Sequence, residues 1–194
     1  PDVISAMMLT NSGDGVIAYE TKEVDGANAT FSNVTLASME GFTADSLVFE
    51  GLDMVDGQAS FSRMSFSGIT IDAPEDADTT TVGVGEIELI NPSRALSSWV
   101  ASSMGTGEPA AFPAVEDIAF DAWAVSDVAG EFSGTDGQGT YTIGSIQMRD
   151  VENQRAAFAE LTGITFDVVD EDDMAFTGGL DSMTVAGADL SFLS

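Results

Sequence analysis

One short phrase of apolar positions keeps returning along the chain: apolar, any, apolar, any two, apolar, any, apolar. It sets Leu47, Phe49, Leu52 and Met54 in "SLVFEGLDM", and Met64, Phe66, Ile69 and Ile71 in "RMSFSGITI". It returns with Ile118, Phe120, Trp123 and Val125 in "DIAFDAWAV" and with Tyr141, Ile143, Ile146 and Met148 in "YTIGSIQM". Met183, Val185, Ala188 and Leu190 carry it in "SMTVAGADL". Alternation within each half is the period of a strand with one buried face. The extra residue in the middle would turn the second half to the other face unless a β-bulge absorbs it. The phrase predicts a mainly β fold: an elongated antiparallel sheet of long, bulged strands, apolar on one face and long enough to fold over as an open groove.

Four Asp-Gly steps punctuate these runs, at Asp14-Gly15, Asp25-Gly26, Asp56-Gly57 and Asp136-Gly137. Between alternating segments such a step favours a tight hairpin, because both residues tolerate positive φ. A calcium loop would need regularly spaced acids and a distal Glu, which the flanking residues lack. Two or three short helices are expected. After "IELI", Asn91 can cap, Pro92 suits the first helical position, Leu96, Trp99, Val100 and Met104 share a face, and Gly105 closes the element. "GSIQMRDVENQRAAF" echoes "GEIELINPSRALSSW", which places a second helix from about Glu152 to Thr162, with Phe158 and Leu161 apolar. The start repeats the helical part with Pro1, Ile4, Met7, Met8 and Gly13. The chain therefore reads as one domain, 1–194, of strand-strand-helix units starting near residues 1, 92 and 151. "APEDADTT" (73–80) and "GTGEPAAFPA" (105–114) are linker-like; the second suits a boundary, yet strand patterns of one kind continue on both sides.

Charge narrows the function. Thirty-three acidic residues face five basic ones, a net charge of −28. Nucleic acid is excluded as a partner, because binding needs a basic face that releases counterions. Few carboxylates can find a cation, so most are solvated, as in a marine or halophilic protein, or meet divalent ions. At 44% hydrophobic the chain still has enough apolar residues for a core, and no run reaches the ~18 apolar residues of a membrane helix. "PDVISAMML" lacks the basic region of a targeting signal. There is no Cys and no His, which removes thiol chemistry, disulfides and the commonest general base. A Cys-free, acidic, strand-rich chain fits the bacterial periplasm or cell surface.

No catalytic constellation emerges: no acid pair stands out, Lys22 sits in a polar turn, and no enzyme activity or cofactor is expected. Asp170, Glu171, Asp172 and Asp173 cluster in "VVDEDDM", and Glu75, Asp76 and Asp78 in "APEDAD". Oxygen-only groups suit Ca²⁺ or Mg²⁺, but a solvated loop between strands is the preferred reading, so no metal site is assigned. The sequons at Asn28 and Asn33 matter only in a eukaryotic secretory setting. Met and Phe are more telling, since they concentrate in the recurring phrase. Phe49, Phe61, Met64, Phe66, Phe120, Trp123, Ile146 and Met148 would line a trough of soft, adaptable side chains able to hold acyl chains.

The phrases "FSRMSFSGITI", "DIAFDAWAV" and "LDSMTVAGADL" resemble the strand repeats of bacterial envelope proteins with a repeating β-groove. These β-taco proteins include AsmA-like and lipopolysaccharide-transport proteins. The resemblance implies a folded-over sheet that shields lipid in the periplasm. The expected function is a non-catalytic envelope protein that binds a lipid or other hydrophobic ligand on an apolar sheet face. The alternative is a structural or assembly protein of the cell surface. It would close the same residues into a core and pair with itself or other envelope proteins through strand edges.

Overall fold

A computed structural model of the chain describes residues 3–7, 9–55, 57–72, 79–105, 111–134, 137–170 and 174–190. The elements run α1 (Val3–Ala6), β1 (Ile17–Ala18), β2 (Thr21–Asp25), β3 (Asn28–Leu36), β4 (Phe42–Glu50), β5 (Asp53–Val55) and β6 (Gln58–Ser60). They continue with β7 (Arg63–Asp72), β8 (Thr79–Ile90), α2 (Arg94–Met104), β9 (Phe120–Gly134), β10 (Gly137–Glu152), β11 (Arg155–Asp170) and β12 (Ala175–Asp189). A short 3-10 turn at Val115–Asp117 leads into β9. All ladders are antiparallel, in the order β1-β3-β4-β7-β8-β9-β10-β11-β12, with β2 beside β1 on the outer edge of β3. The sheet is open: β1 and β2 form one edge and β12 the other. β5 and β6 form a separate hairpin. The mainly β class and the single antiparallel sheet are as the apolar phrase predicts.

The extra residue in the phrase is absorbed in an unexpected way. β7 runs from Ser67↔Ser46 to Ile69↔Ala44 against β4, so the register is unchanged across Gly68. Gly68 has φ 61°, which turns the chain so that Phe66 and Ile69 face the same core. No register shift is needed, because each neighbouring strand has its own irregular residue at the same level. Continuing the registers on either side aligns Asn33, Asp45, Gly68, Gly85, Asp127, Gly144, Gly163 and Asp181 across eight strands. Every second one is left-handed: Asn33 at 52°, Gly68 at 61°, Asp127 at 54° and Gly163 at 63°. A second seam lies six residues along each strand, with Gly51, Ser62, Asn91, Asp121, Asp150, Ala157 and Gly187 aligned. There Gly51 (64°), Asn91 (46°), Asp150 (49°) and Gly187 (65°) are left-handed. Only Gly, Asn and Asp occupy these left-handed positions, the residues that tolerate the conformation best. The seams also bring backbones close: a Cβ on Gly85 would come within 2.8 Å of the Asp127 Cβ.

Two sequence expectations fail. Glu152–Thr162 is strand, not helix. Asn153 and Gln154, both at positive φ, make a two-residue turn between the paired Glu152 and Arg155. β11 then pairs on both sides, so the helix preference of its Ala, Glu and Leu is overridden by the ladders. The helix expected to open the unit near residue 151 is therefore absent. Helix α2 starts later than expected: Ser93 caps it, its Oγ accepting from the Leu96 amide at 3.3 Å. Asn91 instead sits in the second seam, where its Nδ2 donates to Asp121 Oδ2 at 2.6 Å. Of the Asp-Gly steps, Gly26 (59°) turns the β2–β3 hairpin and Gly57 (81°) the β5–β6 hairpin, whereas Gly15 lies in the loop before β1. Gly137 opens β10, and Asp56 and Asp136 lie outside the described residues. Of the linker-like stretch 105–114, residues 106–110 lie outside the described residues; β8 and β9 pair along their length in the same sheet.

Candidate functional site

Three apolar rows cross one face of the sheet. The first runs Phe31, Leu47, Phe66, Ile87, Val125, Ile146, Leu161, Met183. The second runs Ala29, Phe49, Met64, Leu89, Trp123, Met148, Ala159, Val185. The third begins at Val34, Ala44, Ile69, Val84 and Val128 and ends at Ile164 and Leu180. Each row changes character along its length. Phe31 and Phe49 are wholly buried, while Met183 is 52% exposed and Val185 45%.

The difference lies in what covers the face. Over β3, β4, β7 and β8, Ile4 of α1, Met7 just after it, and Leu96, Val100 and Ala101 from α2 close the core, with Ala59 and Phe61 from the β5–β6 hairpin and the residue after it. Phe49 packs edge-on against Phe31 and Phe61, with ring centroids 6.4 and 5.3 Å away. Ser98 Oγ ties α2 to the Ala59 carbonyl at 3.3 Å. Trp123, Val125 and Val128 on β9 mark the border of this core. Beyond it, Phe166, Phe176, Leu180, Met183 and Val185 are exposed.

The eight residues predicted to line a trough are therefore divided. Phe49, Phe61, Met64 and Phe66 are buried in the core, which removes them from reach of a ligand. Phe120 and Trp123 pack partly against that core. Only Ile146 and Met148 lie on β10, past its border. A hollow of about 400 Å³ lies elsewhere, between Glu131, Phe132, Gln138, Gly139, Asp167 and Val169 near one end of β9–β11, and is open and of mixed lining. Phe158 and Leu161, expected on one helical face, lie on opposite faces of β11: Arg149 stacks over the Phe158 ring at 5.6 Å.

The two edges of the sheet differ as much as its two halves. The β2 edge is five residues long and carries Lys22, Glu23 and Asp25. The β12 edge is fifteen residues long, and its Ser182–Ala188 stretch carries no charge and no Pro. Charged, short edges resist strand addition, and long neutral ones invite it. None of the residues expected to line a trough lies on this edge. Among the described strands β12 is outermost, and "SMTVAGA" offers nothing to protect it.

Electrostatics single out one cation. Arg63 on β7 reaches Glu50 at 3.0 Å, Glu86 at 3.2 Å and Glu88 at 2.5 Å, so three strands share one guanidinium. The Glu88 hydrogen bond raises the Arg63 pKa most; burial opposes it, and the charge of Glu88 and then Glu50 raise it further. This cluster staples the polar face and offers no open coordination. Tyr19 donates from its hydroxyl to the Leu9 carbonyl at 3.0 Å, and burial and then Asp14 raise its pKa. Among the described residues no three acids gather to hold a metal. Asp170 Oδ1 accepts from the Met174 amide at 2.9 Å, while 171–173 and 73–78 lie outside the described residues. No described helix is long and apolar enough to cross a membrane. Comparison with protein-family models, curated proteins and solved structures returns no match.

Proposed function

We propose that this chain is a non-catalytic assembly module whose open sheet is completed, on the β12 side, by a β-surface of another polypeptide. The observation that carries the reading is the gradient along the apolar rows, from wholly buried Phe31 to half-exposed Met183. Apolar area left in water costs about 25 cal/mol per Å², and a free edge exposes backbone groups that a further strand would satisfy. The acidic, Cys-free composition suits a bacterial cell surface or periplasm, and the charge would keep such a module soluble until it meets its partner.

A second reading is favoured by the chemistry of the same face. Ile146, Met148, Leu161 and Met183 form a soft strip on which a lipid or other hydrophobic ligand could rest, as the resemblance to β-groove proteins implies. One preparation separates the two. Protein purified without detergent is sedimented from micromolar to millimolar concentration, then weighed by native mass spectrometry before and after solvent extraction. Ordered oligomers without lipid are the expected result. A lipid-loaded monomer would move the function to ligand binding, and a bare monomer at every concentration would overturn both.

A further inference from the structure

The backbone seams specify which β-surface fits the free edge. In every full strand the two seam residues follow one order: an ordinary residue, then a left-handed one six positions later. Asp45 precedes Gly51, Ser62 precedes Gly68, Asp121 precedes Asp127, and Asp181 precedes Gly187. Each left-handed residue faces ordinary ones on its neighbours. Gly68 lies between Asp45 and Gly85, and Asp150 between Asp121 and Ala157. A strand added beside β12 must therefore run antiparallel, with an ordinary residue opposite Gly187 and a left-handed one opposite Asp181. β12 itself meets that requirement.

We propose that two copies of this chain pair antiparallel through β12, with Thr184 on the two-fold axis and Asp181 of each copy opposite Gly187 of the other. The inference rests on the assembly reading above and names the partner. Asp181 would then lie between Gly163 and a second-copy Gly187, just as Asp121 lies between left-handed Asn91 and Asp150. Met183 falls opposite Val185 of the other copy, so the first two apolar rows run unbroken from one closed core to the other. Thr184 meets its own counterpart, a hydroxyl pair of the kind already formed by Thr142 with Thr165 at 2.7 Å and by Ser145 with Thr162 at 2.9 Å. Asp189 falls opposite Gly179, so no carboxylates face each other across the join. A slip of two residues would put Gly187 opposite a residue of neither seam and break both. The β2 edge, short and charged, does not offer β12 a matching strand. The contact therefore closes as a dimer and does not propagate as a fibre.

The test uses the absence of native cysteine. Thr184→Cys on the full chain, oxidised in molar NaCl to screen the −28 charge of each copy, should give a disulfide-linked dimer in high yield. Directly opposed residues on antiparallel strands lie about 4.5–5.5 Å apart at Cα, within disulfide range. Ser182→Cys alone should not crosslink, because its counterpart lies four residues along the strand. Ser182→Cys mixed with Ala186→Cys should. Crosslinking of Ser182→Cys with itself, or of none of the three, in a protein that sediments as an oligomer would overturn this register and leave the assembly reading standing. A monomer at all concentrations and salts would overturn both.

Discussion

The sheet halves at β3–β8 and β10–β12 are built from the same strand, yet one is a closed core and the other is largely uncovered, with Val151 and Ala156 still buried. Phe49 and Val185 occupy the same apolar row, and the registers between them are continuous. Their difference in burial owes nothing to the strands; it follows from α1, α2 and the β5–β6 hairpin lying over one end. Strand pattern decides which way a side chain faces, and only the covering layer decides whether it is dry.

The largest expected effect tests that contrast directly. Phe49→Ala should cost about 3–5 kcal/mol, since it empties a closed site between two other rings. Val185→Ala, made in the same row and measured in dilute monomer, should cost under about 0.5 kcal/mol. Urea unfolding of both variants checks it. Equal costs would mean that β12 is already covered in solution.

The seams give the next contrast. Gly68→Ala must hold a left-handed residue whose Cβ would meet the Asp45 carboxyl group, and should cost about 2 kcal/mol. Gly187→Ala has the same backbone but nothing nearer than Arg155 Nη2 at 3.9 Å, so only the conformational strain of about 1 kcal/mol remains. Thermal unfolding of the pair measures the difference. A reversed order would show that close approach does not govern the seam.

Much of this was legible in the sequence, and the failures are instructive. The alternating phrase identified the strands and their apolar face, because a half-buried strand imposes period two on its residues. It also contained the seams, as the odd step between its halves. What single strands could not reveal was that neighbours carry the same step at the same level, so that a left-handed residue, and no bulge, absorbs it. "ENQRAAFAELT" was misread because local propensity favours helix, and the pairing of β11 on both sides is a tertiary fact. The choice between trough and core for Phe61 and Phe66 was not legible for a related reason: it depends on where α2 lies, and no periodicity within a strand encodes that. The neutral edge at Ser182–Ala188 was in plain view but carries meaning only once the topology makes β12 outermost.

Charge gives a smaller effect. With 33 acids against five bases, screening should raise the melting temperature between low and molar NaCl. Within that background Arg63→Met removes the one cation among Glu50, Glu86 and Glu88. Arg63 is 30% exposed, so the loss should be about 1 kcal/mol at low salt, shrinking as salt screens both the lost attraction and the remaining repulsion. A cost that grows with salt would assign Arg63 a packing role instead. The covered half, where the cluster lies, should feel the change, and hydrogen exchange in β12 should not.

The smallest effect appears only in alkali. Burial and Asp14 raise the Tyr19 pKa above its ordinary 10.0, so the folded state favours the neutral phenol. A group raised in this way contributes stability that is fully present below pH 10.0 and is lost as pH rises through the folded value. From pH 6 to 9 Tyr19 should therefore add no slope to stability. Above 10.0 the wild type should weaken faster than Tyr19→Phe, which keeps the ring against Phe31 at 5.0 Å but has no proton to lose. Near neutrality the variant should be about 1 kcal/mol less stable, the cost of the hydrogen bond to the Leu9 carbonyl. The two stability curves should then converge as pH climbs. Parallel curves would mean that the hydroxyl does not pin the segment after α1 to the sheet, and that the closed half keeps its cover by apolar packing alone.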